Sequence, residues 1–510
     1  MKKCMIDYLE ETNNKHKDKI VFLEKNREIT YNNFVLESKH IASSILKYEL
    51  YNKPIIIFID KTINALSSMF GVIYSANFYT VIDTEMPKNR VKSIIDTLKP
   101  SLVITDNKNL AKLKEHNLDL QTIIYEDSLL EEIDYEKIQE AHSKIIDINP
   151  MYVLFTSGST GTPKGSVISH RAVISYSKWF SETFDITNET VFGSQTPFYF
   201  SMSVSDVFST IMNGSSLCII PKTYFSFPLN LINYLNDKKI NTIYWVPSAL
   251  SIVANLKTFD TIKPRYLQKV LFAGEVMPMK PLNIWRKAMP NLLYANLYGP
   301  TELTDICTYY IVDREFKDTE TLPIGKPCNN CEAIILNSKN EEAAPSEEGE
   351  LCIKGSILGL GYYNNKEKTD STFIQNPLNK SFNEMIYKTG DIVKYNDHGE
   401  LIYVSRKDFQ IKHMGYRIEL GEIETNINAL DKVTLCACIY DHDNKQIVLY
   451  YEGNKIKEED IINYANERLV NYMRPNKIIK LSKMPYNQNG KIDRVRLKEM
   501  YKEEQNGKSY

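Results

Sequence analysis

The amino-acid sequence predicts an α/β protein: a large N-terminal domain of layered sheets and helices that includes a β-rich subdomain, then a small α+β C-terminal domain. Three observations predict it. First, apolar runs at 54–59, 101–105, 216–220, 242–246 and 269–274 alternate with amphipathic stretches such as 62–75 and 230–237. Strand–helix alternation of this kind is the pattern of a parallel sheet covered by helices. Second, a polar, acidic segment at 337–349 reads as a surface hairpin or loop, and the runs at 349–355 and 399–404 on its far side look like antiparallel strands. Third, the last hundred residues change to a compact pattern, with helices fitting 421–430 and 458–469 and strands fitting 432–440 and 446–451. The polar tail 505–510 is expected to fray.

The chain has 510 residues, enough for about three domain-sized units with large cores. Basic and acidic residues number 62 and 64, so the charge is balanced and gives no electrostatic case for a nucleic-acid partner. Acidic residues precede any long apolar run at the N-terminus, and no stretch reaches the roughly 18 apolar residues of a membrane helix. A cytoplasmic protein without a membrane partner is the expectation. The eight cysteines are scattered, apart from a C-x-x-C at Cys328 and Cys331 and a C-x-C at Cys436 and Cys438. Neither has the second, similarly spaced pair of a zinc site, so reduced thiols are expected.

The strongest local signal follows the apolar run 151–155: Thr156, Ser157, Gly158, Ser159, Thr160, Gly161, Thr162, Pro163, Lys164. A strand feeding such a loop can wrap an anion. Gly158 and Gly161 let the backbone aim N–H groups inward, the hydroxyls of Thr156, Ser157, Ser159 and Thr160 add donors, and Lys164 adds positive charge. The usual P-loop requires Gly-Lys-Ser/Thr, whereas here Pro163 precedes the lysine and Gly165 follows it. A flexible connector would rarely carry this order straight after a buried strand.

Further segments are Tyr298-Gly-Pro-Thr-Glu302, Tyr387-Lys-Thr-Gly-Asp391, Tyr403-Val-Ser-Arg-Lys-Asp408 continuing through 410–415 and 417–424, and Asn489-Gly-Lys-Ile-Asp-Arg494. Each alone could be a solvated turn. Together, in this order and spacing, they closely resemble the adenylate-forming superfamily over nearly the whole chain. That superfamily holds nonribosomal-peptide adenylation domains, D-alanine–carrier-protein ligases, acyl- and aryl-CoA ligases and luciferases.

The resemblance implies an AMP-forming acid–thiol ligase with ATP and Mg²⁺. Glu302 would hold the Mg²⁺ that bridges phosphate oxygens. Thr156 to Gly161, Lys164 and Thr301 would bond phosphates, with Asn296, Tyr298 and Gly299 near adenine and Asp391, Tyr403 and Arg406 on the ribose side. Lys491 would be the catalytic lysine, offsetting charge on the carboxylate and α-phosphate. Domains of 1–407 and 408–510 would meet at a hinge, Asp408. The small domain would rotate between half-reactions, removing Lys491 and bringing in the turn of Lys412 and Gly415. Ser405 stands where the superfamily usually has Gly.

Amino-acid-activating members carry an aspartate after an aromatic residue, paired with the substrate α-ammonium. Here Phe200 is followed by Ser201. A buried ammonium without a carboxylate costs several kcal/mol, which a serine dipole does not offset. The remaining pocket maps to Met202, Ser205, Tyr244, Leu271, Ala273, Gly274, Leu297, Asp305 and Ile306, mostly apolar, with Asp305 as a partner for a distal hydroxyl or amine. An acid without an α-amino group is expected, best an aryl acid such as a hydroxybenzoate; a β-amino acid or an α-amino acid are the alternatives. No phosphopantetheine attachment site lies in the chain, so a separate acyl or peptidyl carrier protein is the expected acceptor, with CoA as the alternative. A non-catalytic adenylate-binding scaffold and a luciferase-like oxygenase are the rivals from other classes; the retained Lys164, Glu302, Asp391, Arg406 and Lys491 argue against the scaffold.

Overall fold

A computed structural model describes residues 2–158, 162–407, 410–454, 456–486 and 492–505. The chain divides into two compact units. One comprises Met1–Thr84, Thr97–Phe155 and Gly165–Lys407; the other comprises Glu85–Asp96, Thr156–Lys164 and Asp408–Tyr510. The second unit thus draws in two segments from the N-terminal part, one of them the Gly/Ser/Thr loop. Asp408, the expected hinge, lies outside the described residues.

Among the described residues the first unit carries three sheets. In the nine-stranded sheet, Ile20–Leu23, Ser216–Ile219, Val191–Ser194, Thr242–Trp245, Lys269–Phe272 and Leu293–Tyr298 run parallel, in that spatial order. These strands are mostly apolar and buried, as expected for a sheet covered on both faces. Both edges are antiparallel: Glu28–Thr30 on one side, Thr308–Ile311 and Lys326–Pro327 on the other. The short link 299–307 cannot make the crossover of a dozen or more residues that a parallel return needs, so the chain doubles back. That link carries Glu302 and Asp305 at the C-terminal ends of the parallel strands, where open α/β sheets bind ligands.

A seven-stranded sheet is built around the parallel strands Pro150–Thr156, Phe78–Val81, Pro54–Phe58, Leu102–Thr105 and Gln121–Ile124. A smaller antiparallel sheet contains Cys331–Leu336, Gly349–Gly355, Met385–Tyr395 and Leu401–Arg406. Ser405 sits in the last of these strands, opposite Ile392. The two large sheets and their helices share one apolar core running from Cys4 to Leu401.

In the second unit, Gln410–His413 and Tyr416–Glu419 form a hairpin. Met414 and Gly415 both have positive φ, 52° and 81°, the backbone of a two-residue turn between twisted strands. Helices Leu420–Asn428 and Glu458–Arg468 and the sheet of Val433–Asp441, Gln446–Gly453 and Lys477–Lys480 complete a separate core. No helix among the described residues is long and apolar enough to cross a membrane.

Candidate active site

Three clusters contain the described site residues. In the second unit, the Gly/Ser/Thr loop binds carboxylates. The Gly158 N–H donates to Glu422 Oε2 at 3.2 Å, and Lys164 Nζ lies 3.3 Å from Glu419 Oε1. Ser157 Oγ donates to the Arg417 carbonyl and receives the Glu419 N–H. Glu422 also pairs with the Arg90 guanidinium. Burial raises the Glu422 carboxyl, and Arg90 and the Gly158 N–H pull it back. A loop whose backbone N–H and lysine both find anionic oxygen has the donor set phosphates require. Thr156 Oγ1 is buried with no partner among the described residues, and a Cβ on Gly158 would lie 1.9 Å from the Thr162 carbonyl oxygen, so only glycine permits this path. Ser159, Thr160 and Gly161 lie outside the described residues.

In the first unit, a nucleoside-side cluster gathers around Asp391. Arg406 Nη1 donates to its Oδ1 at 2.7 Å, and the Tyr298 hydroxyl donates to its Oδ2. Burial and the adjacent carboxylate push the Tyr298 phenol well above its ordinary value, so it stays a donor. Each carboxylate oxygen keeps a second lone pair, which suits ribose hydroxyls. The Asn296 amide donates to the Pro323 carbonyl at 2.8 Å, and Tyr403 packs half-buried against the core.

The link after Tyr298 is tightly built. A Cβ on Gly299 would lie 2.1 Å from the Asp305 carbonyl oxygen. Thr304 holds φ 70° and ψ −59°, and the Asp305 N–H donates to the Leu303 carbonyl at 2.8 Å. This is a γ-turn with positive φ on a β-branched residue, a strained conformation that persists only when its surroundings over-determine it. Here they do: Thr304 Oγ1 donates to the Ile357 carbonyl, and the Tyr152 hydroxyl donates to the Thr304 carbonyl. The turn fixes Glu302 on one side and Asp305 on the other. Glu302 is fully buried, and its Oε1 accepts the Tyr362 hydroxyl at 2.6 Å. A held, buried carboxylate of this kind suits a hard divalent cation.

Asp305 forms the third cluster. Its Oδ2 accepts hydroxyls from Ser205 at 2.7 Å, Tyr244 at 3.0 Å and Tyr176 at 3.1 Å. Burial pushes the carboxyl up to about 6, with the hydroxyls opposing. The Thr301 hydroxyl donates to Ser201 Oγ at 3.4 Å. Ser201 precedes the helix Met202–Asn213, whose first turn presents Met202 and Ser205 one turn apart. Register sets Tyr244 beside Leu271, and Leu271 beside Ala295. Leu297 and Ala273, each two residues further along its strand, share that face. Phe200 is half-buried, Ile306 is buried, and Gly274 turns the chain at φ 92°.

The structure therefore joins Ser205, Tyr244 and Asp305 through hydrogen bonds, Thr301 and Ser201 through one more, and Tyr298, Asp391 and Arg406 through another set. It adds Tyr176, Tyr362 and Arg90, for which the sequence offered no motif, and it shows that Glu419 and Glu422, which lie in the 417–424 segment, bear the carboxylates that meet the loop. Lys412 and Gly415 sit in the hairpin of the second unit. Lys491 lies outside the described residues.

A family model described as AMP-binding enzyme matches residues 9–363. Zwittermicin A synthase ZmaJ of Bacillus cereus is 30% identical, over 97% of this chain and 94% of that protein. The D-alanine–D-alanyl carrier protein ligase of Bacillus cytotoxicus is 29% identical, over 97% of this chain and 98% of that protein. The chain spans 44% of tyrocidine synthase 1 of Brevibacillus parabrevis, to which it is 27% identical. The crystal structure of the Vibrio cholerae adenylation domain AlmE, in complex with glycyl-adenosine-5'-phosphate, matches with a TM-score of 0.83 at 18% identity, covering 98% of each chain, a likeness of fold. This chain belongs to the AMP-binding enzyme family, the ligases that join an acid to AMP from ATP before handing it to a thiol.

Proposed function

We propose that this ligase activates a carboxylic acid lacking an α-amino group, best an aryl acid bearing a ring hydroxyl, and passes it to the phosphopantetheine thiol of a separate carrier protein. The observation that carries the reading is Ser201, standing where amino-acid activators hold a carboxylate, with Asp305 beyond it and ringed by hydroxyls. A flat ring against Leu271, Ala273 and Leu297 would direct its hydroxyl toward Asp305.

In the first half-reaction a carboxylate oxygen of the acid attacks the α-phosphorus and pyrophosphate leaves. In the second a thiolate attacks the acyl carbon and AMP leaves. Mg²⁺ at Glu302 would neutralise charge on the phosphate oxygens. The chain's own groups bind and orient: the loop from Thr156 to Lys164 and Thr301 hold phosphate oxygens, Asp391 and Arg406 hold the nucleoside, and Lys491 offsets charge as the α-phosphorus becomes pentavalent. Rotation of residues 408–510 about Asp408 would withdraw Lys491 and present the turn at Gly415 for the thiol step.

A second reading is favoured by the charge on Asp305. The bonds it accepts come from neutral hydroxyls, and a buried carboxylate gains most from a cation. A β-amino acid would supply one, its ammonium one carbon further from the reacting carboxylate than an α-ammonium.

Pyrophosphate release measured across hydroxybenzoates, benzoate, β-amino acids and α-amino acids with their deaminated analogues tests both. The hydroxybenzoates should lead, or the β-amino acids under the second reading. Clear preference for an α-amino acid over its deaminated analogue would end both. Ser201→Asp should move preference toward α-amino acids.

A further inference from the structure

Outside the site described above, one group of thiol, imidazole and carboxylate atoms among the described residues lies within mutual reach. Cys4 Sγ, an Asp7 carboxylate oxygen and a His142 ring nitrogen all lie within 4.8 Å of one another. We propose that Cys4, Asp7 and His142 form a binding site for a divalent transition-metal ion of the zinc class.

The local structure prepares these ligands. Cys4 is the N-cap of the helix Met5–His16, and Asp7 lies in its first turn. Asp7 Oδ2 accepts the backbone N–H groups of Lys3 and Cys4, at 2.6 and 3.1 Å, which fixes the carboxylate and leaves Oδ1 toward His142. His142 lies in the last turn of the helix Tyr135–Lys144, and its Nε2 lies 2.8 Å from that Oδ1. The Lys3 ammonium donates to the carbonyls of His142 and Ser143, holding the end of that helix in place. Cys4 is fully buried while the His142 and Asp7 side chains are 34% and 19% exposed, so an ion would enter past the imidazole.

The donor set is sulfur, nitrogen and oxygen, the mixture that a borderline-soft, four-coordinate ion takes. Three protein ligands leave a fourth position. His170 is buried, and its Nδ1 has no hydrogen-bond partner among the described residues. Bound metal would tie the N-terminal helix to the segment before Pro150, from which the strand Pro150–Thr156 leads into the loop.

The test uses the chelator-treated full chain without nucleotide, titrated with Co²⁺ and then Zn²⁺. The expected result is one Co²⁺ per chain with thiolate-to-cobalt absorption in the near ultraviolet, displaced by Zn²⁺, and a rise in Tm on Zn²⁺ binding. Cys4→Ser and His142→Gln should each abolish that absorption and weaken binding at least about tenfold. Cys331→Ser, a control for the C-x-x-C thiols, should leave both unchanged. Absence of thiolate absorption in the unaltered chain, or Co²⁺ binding in which Cys4→Ser and His142→Gln match it, overturns the site.

Discussion

Two buried carboxylates, one in each unit, are treated in opposite ways. Glu422 is 2% exposed and faces the guanidinium of Arg90, itself 8% exposed, so a full positive charge answers it from within the protein. Asp305 is 1% exposed and is answered by the hydroxyls of Ser205, Tyr244 and Tyr176. Hydroxyls satisfy the lone pairs without cancelling the charge. The first arrangement is complete in itself and serves structure; the second is stable enough to fold yet gains from a polar ligand. Under the proposed function, that difference suits Asp305 to reading the substrate's distal polar group.

That contrast can be broken most forcefully at Arg90. Arg90→Ala leaves Glu422 buried without its cation and should cost about 3–5 kcal/mol, read by urea unfolding. A loss below about 1 kcal/mol would mean that Glu422 does not depend on Arg90. The corresponding change at Asp305 should behave differently. Asp305→Asn removes a buried charge answered by neutral hydroxyls, so at neutral pH it should not lower stability as Arg90→Ala does. Its kcat/KM for the preferred acid should fall about 10- to 100-fold, the worth of a hydrogen bond to a charged group. Activity toward the analogue without the distal hydroxyl or amine should barely move.

The pH dependence sharpens the same point. Asp305 titrates at about 6 in the folded protein, above the ordinary 3.8. The folded state therefore holds this proton more tightly than the unfolded chain, and the group's contribution to stability falls as pH rises from about 3.8 to about 6. Substrate selection runs the other way. Preference for the acid with the distal polar group should weaken as pH drops through about 6, where Asp305 loses its charge, and the Asp305→Asn profile should lack that step. The smallest effect is expected at Tyr176. Tyr176→Phe removes one of several donors to Oδ2, a change of about 0.5–1.5 kcal/mol in stability with a modest loss of selectivity.

Much of this site was legible in one dimension. The loop Thr156–Lys164 announces anion chemistry because glycine and hydroxyl residues bear their donors locally, whatever surrounds them. Tyr298 to Glu302 and Asp391 are readable for the same reason, since short motifs carry their own backbone geometry. The resemblance places Asp305, Ser201, Ser205 and Tyr244 in one pocket, but not the hydrogen bonds that gather on Asp305, and Tyr176 belongs to no motif. Tyr176 comes from a helix, Ser205 from another and Tyr244 from a strand, and nothing in their own segments fixes that they meet on one oxygen.

The sequence by itself determined the alternation of strands and helices, the α+β ending and the loop that holds anions, because hydrophobic period and backbone permissiveness are properties of neighbouring residues. Only the tertiary structure decided which partner each buried charge received: Arg90 for Glu422, hydroxyls for Asp305, Tyr362 for Glu302. Those pairings join residues 60 to 332 positions apart, and the desolvation that makes them matter arises only when the chain has folded around them.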